Sequence, residues 1–84
     1  MLDKQRNVEE KLGELYLIIN QILGYKNRSL DKLPEDATNL RDVGLDSLDL
    51  AELTVKVEHK FGVDVFEDGL LNTFGELYNK LNLK

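Results

Sequence analysis

A hydroxyl, an imidazole and a few clustered carboxylates are the side chains of this 84-residue sequence best suited to chemistry. The hydroxyl belongs to Ser47, which follows Asp46 where an apolar pattern of helical period begins. Asp46 is a good N-cap, so Ser47 takes the first helical position and directs its oxygen out of the helix N-terminus. Unpaired backbone N–H groups and the positive end of the helix dipole lie there, a setting that favours a phosphoryl group. Nucleophilic catalysis is a poor fit. The single histidine, His59, lies twelve residues further along the same predicted helix. At 1.5 Å per residue that is roughly 18 Å, too far for it to act as a base toward Ser47. The carboxylates Asp64, Glu67 and Asp68 lack the alternating oxygen spacing and closing Glu of a calcium loop. No cysteine is present as thiolate or metal ligand. We therefore expect no catalytic residue and no metal site, and the chain is not expected to be an enzyme.

Composition narrows the partners. Sixteen acidic against eleven basic side chains leave a formal charge of -5, which repels phosphate backbones and anionic lipid surfaces. Nucleic acid and membrane insertion are not expected. A partner with a basic patch would be drawn in, in a salt-sensitive encounter. The N-terminal run MLDKQRNVEE is charged where a signal peptide is apolar, and a cysteine-free core suits a reducing cytoplasm. The length suits one modest core, hence a single domain over residues 1–84 and a monomer, of a size for carrying or binding.

The elements that must position Ser47 follow from periodicity and caps. Asn7 and Glu10 suggest a capping box, after which Val8, Leu12, Leu15, Ile19, Ile22 and Leu23 recur at helical spacing until Gly24. Residues 3–6 could extend this helix backwards. Residues 25–43 read as a long loop pinned by Leu30, Leu33, Leu40 and Val43. The second helix runs from Asp46 and Ser47 to Phe61, with Leu45 positioned as a staple on Leu50, and Gly62 ends it. Val63, Val65, Phe66, Leu70 and Leu71 mark one irregular helical turn. Thr73 and Glu76 box the start of a last helix carrying Phe74, Leu77, Tyr78 and Leu81. The fold class is all-α: a small antiparallel bundle of three main helices plus one short helical segment. The expected core is Leu12, Leu15, Ile19, Leu40, Leu50, Leu53, Val57, Phe61, Phe74 and Leu77.

Residues 40–53 read LRDVGLDSLDLAEL. As a dipeptide Asp46 and Ser47 would merely start a helix, but the whole stretch resembles the acyl carrier protein family, whose hallmark is G-x-D-S-L. Gly44, Leu45, Asp46, Ser47 and Leu48 match it without a gap. The match extends to Leu40, Val43, Asp49, Glu52 and Leu53, and to the helix-ending Phe61 and Gly62. The resemblance implies that a phosphopantetheinyl transferase attaches 4'-phosphopantetheine to Ser47 as a phosphodiester, with Asp46 recognised during loading and Leu48 beside the arm. It further implies an arm thiol that holds acyl groups for acyl-transferring, condensing or ligating enzymes, in fatty acid, polyketide or related biosynthesis. Lys56, His59 and Lys60 depart from the acidic helix face typical of the fatty-acid branch, and residues 65–72 are shorter than the usual third helix. A dedicated aminoacyl, D-alanyl or peptidyl carrier is the alternative, as is an acidic interaction domain without a prosthetic group.

Leu48, Ala51, Glu52, Val55 and His59 share one outward face of the predicted second helix. This apolar and acidic stripe beginning beside Ser47 is the expected docking surface, with Val63 and Phe66 as further docking residues.

Overall fold

A computed structural model describes residues 7–83. Three α-helices are present: α1 (Val8–Gly24), α2 (Ser47–Phe61) and α3 (Phe74–Lys80). A 3₁₀ helix, η1 (Leu40–Val43), precedes α2. Among the described residues there is no strand, only an isolated bridge between Asn39 and Thr73. The bundle is all-α, as the periodicity predicted. The possible backward extension of the first helix lies outside the described residues.

Each helix starts at the expected cap. Asn7 accepts the Glu10 N–H at 2.8 Å, and Thr73 with Glu76 closes a full capping box on α3. α1 ends at Gly24 as expected, but as its last helical residue and without the left-handed conformation that glycine allows. The chain turns three residues later at Asn27, at φ +61, where the Arg28 N–H returns to the Leu23 carbonyl at 3.0 Å. Asparagine tolerates this left-handed conformation because its short polar side chain can bond locally.

The amphipathic faces of α1 and α2 pack on each other. Leu15, Ile19, Ile22 and Leu23 of α1, Leu50, Leu53 and Val57 of α2, and Phe74, Leu77 and Tyr78 of α3 form one cluster with Leu40, Leu45 and Val65. Each such side chain contributes about 1.5–3 kcal/mol by leaving water. Leu12 and Phe61 of the expected core are only half-buried and pack against its edge. Leu12 lies close to the start of α1 and Phe61 is the last residue of α2, where fewer neighbours can cover them.

The long loop is pinned by polar groups as much as by its leucines. Tyr16 Oη donates to the Leu30 carbonyl at 2.8 Å, and the Asn20 side chain accepts the Leu30 N–H at 2.6 Å. Tyr78 Oη donates to the Pro34 carbonyl at 2.5 Å. Backbone bonds from Phe74 to Thr38, from Gly75 to Asp36 and from Leu40 to Asn72, all 2.9 Å, sew the loop to the start of α3. The close approach needs Gly75, since a Cβ there would meet the Asp36 carbonyl oxygen at 3.1 Å. These anchors hold residues 40–43 still enough to wind into η1, which local pattern did not predict. The irregular turn expected before α3 consists of two i+3 bonds, Glu67 N–H to Asp64 and Gly69 N–H to Phe66, without a helical ladder.

Candidate functional site

The fold delivers Ser47 in three steps. The 3₁₀ helix η1 anchors Leu40 in the core; Gly44, at φ +106, reverses the chain; Leu45 is buried. Asp46 follows in extended conformation, and Ser47 opens α2 with an exposed side chain. Asp46 caps as expected: its Oδ1 accepts the Asp49 N–H at 2.9 Å. The box is closed by Asp49, whose Oδ2 accepts the Asp46 N–H at 3.0 Å. Leu45 and Leu50 both lie in the core cluster, so the helix start is held from inside and outside.

Lys26 is the residue that sequence reasoning missed. Its ammonium donates to the Gly44 carbonyl at 3.0 Å and contacts Asp46 Oδ2 at 3.1 Å and Asp49 Oδ2 at 2.5 Å. The hydrogen bond from the Asp49 N–H, followed by the one from Lys26, holds the Asp46 carboxyl below its ordinary value. Reciprocally, Asp49 and then Asp46 raise the Lys26 ammonium above its ordinary value. Nothing in the sequence marks Lys26, because the contact spans 20 residues and depends on how the turn after α1 folds.

The expected docking stripe divides into two surfaces. Ala51 and Phe66 join Arg41, Leu50 and Leu70 around a hollow of about 190 Å³ that begins at Ser47. Val55 and His59, with Ile18, Gln21, Lys56 and Lys60, instead line a groove of about 390 Å³ between α1 and α2. Leu48 is 82 % exposed and lines neither. Glu52 is half-buried and approaches Lys56 at 3.7 Å. Val63 is half-buried against the core, away from the hollow.

Residues 14–81 match the family model described as the phosphopantetheine attachment site. The chain belongs to that family. It is thus a phosphopantetheine-carrying carrier domain, not itself catalytic, whose cofactor is 4'-phosphopantetheine held covalently on a serine. No solved structure matches this carrier. No helix among its described residues is long and apolar enough to cross a membrane. No group of three or more His, Cys, Asp or Glu among the described residues could hold a metal ion.

Proposed function

We propose that Ser47 carries the phosphopantetheine arm and that the carrier presents acyl thioesters on it to enzymes of fatty acid, polyketide or related biosynthesis. The observation that carries this reading is an exposed serine at the head of α2, within Gly44 to Leu48, opening onto an apolar hollow. The chain has two serines, and Ser29 lies in the loop after α1, without a helix start behind it. Ser47 has the free amides and dipole of a helix N-terminus for an anionic phosphodiester.

The residues fit the group. Ser47 Oγ is the acceptor, Arg41 lines the same hollow, and Leu50, Ala51, Phe66 and Leu70 supply apolar walls for an uncharged chain. When bound, the arm supplies a thiol that holds an acyl group as a thioester. Asp46, positioned by its cap, is the residue we assign to recognition by the transferase. Leu48, Ala51, Glu52 and Val55 are the residues we assign to docking of acyl-transferring, condensing or ligating enzymes. Asp46 directly before the serine favours an acyl cargo over a peptidyl one, since peptidyl carriers often have His there. A monomeric single domain working in the cytoplasm belongs to the same reading.

Incubation with coenzyme A, magnesium and a broad-specificity phosphopantetheinyl transferase tests it by intact mass. One arm should be added to the native chain and to Ser29→Ala, and none to Ser47→Ala. Loading of Ser47→Ala, or no loading by several transferases, overturns the assignment. The mass of the cargo-bearing native protein then gives the mass of the acyl group.

A further inference from the structure

We propose that Lys26 is the counter-cation of the attachment loop: it positions Ser47 for loading and offsets the charge that loading adds. The inference rests on Ser47 being the attachment serine.

Three oxygens of the loop converge on one ammonium: the Gly44 carbonyl, Asp46 Oδ2 and Asp49 Oδ2. An ammonium has three donors, so the set is matched in number. The Asp49 side chain is only 12 % exposed, and its Oδ2 also accepts the Asp46 N–H. Asp46 is likewise held from both ends, with Oδ1 on the Asp49 N–H and Oδ2 on Lys26. Lys26 belongs to the turn after α1, so it ties the end of one helix to the start of the next across the loop that carries Ser47.

Charge supplies the second half. Asp46 and Asp49 place two carboxylates beside the serine, and a phosphodiester on Ser47 adds a third anion. The Lys26 ammonium touches both carboxylates, far inside the screening length of about 8 Å at physiological salt, so it offsets their charge next to Ser47. Arg41 lines the hollow that begins at Ser47 and is not among the ion-pair partners of Asp46 or Asp49. Among the described residues Lys26 is the lysine that bonds Asp46 and Asp49, so without it the loaded loop would hold three neighbouring anions with the Arg28 side chain, against Gly44, as a nearby cation.

The test compares the full chain with Lys26→Met, Lys26→Gln and Lys26→Arg. Transferase kinetics give KM and kcat for loading, and thermal midpoints are read before and after the arm is attached. If Lys26→Met leaves the loop in its positioned form a third to a tenth of the time, KM rises roughly three- to tenfold with little change in kcat. Lys26→Arg should restore KM, and Lys26→Gln, which keeps a donor without charge, should fall between and serves if Lys26→Met folds poorly. Arm attachment should lower the midpoint more in Lys26→Met than in the native chain, and high salt should shrink that excess. A purely structural lysine would shift both midpoints equally. Native KM and an unchanged effect of loading in Lys26→Met, with the native chain loading at Ser47, would remove the role of Lys26 alone. Failure of the native chain to load at all would remove the carrier site as well.

Discussion

Gly44→Ala probes the backbone that presents Ser47. Gly44 sits at φ +106 and ψ +7, where an L side chain is strained, and holding a non-glycine residue in such a region costs about 1–3 kcal/mol. The new Cβ would lie 2.9 Å from Arg28 Nη1 and 3.2 Å from its Cδ. Arg28 is exposed and flexible, so it can swing away, and the backbone strain sets the cost. A domain of this size loses about 4–8 °C of thermal midpoint per kcal/mol, which places the drop at about 4–24 °C. Gly13→Ala is the matched control. Gly13 lies inside α1 with nothing within 4 Å of a methyl added there, so the same extra carbon removes backbone freedom from the unfolded chain without strain. That variant should gain about 0.5–1 kcal/mol, or about 2–8 °C. Thermal and urea unfolding followed by circular dichroism measure both. Because the Gly44 carbonyl also binds Lys26, loading of Gly44→Ala should fall at temperatures where the variant is fully folded. A neutral Gly44→Ala, or a Gly13→Ala that costs more, would refute the reasoning.

Tyr78→Phe should cost about 1 kcal/mol, because the Pro34 carbonyl loses its donor. Burial, helped by the Asp36 charge, pushes the Tyr78 phenol up to about 12 from 10.0. Its contribution is therefore complete below pH 10 and is lost as pH rises through about 12, so the advantage over Tyr78→Phe should vanish there by ultraviolet titration and unfolding. The Asp46 and Glu76 carboxyls are held below their ordinary 3.8 and 4.5, chiefly by the backbone N–H groups they cap. Their stabilisation is present above those values and lost as pH falls through the lowered ones, so the midpoint should drop in acid and Glu76→Gln should flatten part of that drop. Leu48→Ala should change stability by no more than about 0.5 kcal/mol, since Leu48 is 82 % exposed, yet slow turnover by a partner enzyme. Glu52→Lys should slow turnover in a way that fades at high salt, and native kinetics in both variants would move docking to Val63 and Phe66.

Helix starts were legible because capping acts within four residues. Asn7, Asp46 and Thr73 each cap the helix that the apolar spacing predicted, and G-x-D-S-L is contiguous. These features needed no knowledge of what lies opposite. The end of α1 at Gly24 was legible too, but the residue that goes left-handed after it is Asn27, held by the turn, and not the glycine. The 3₁₀ helix at Leu40–Val43 was invisible because its anchors, Asn72 and the start of α3, lie some thirty residues away in the chain. Tertiary structure alone chose Lys26 from eleven basic residues, placed Phe66 beside Ser47, and split the stripe on α2 between a hollow and a groove. Local order, written by caps and periodicity over one or two turns, belongs to the sequence by itself. The surroundings of the serine depend on which distant polar groups meet once the loops close, and many partners compete for that until packing selects one.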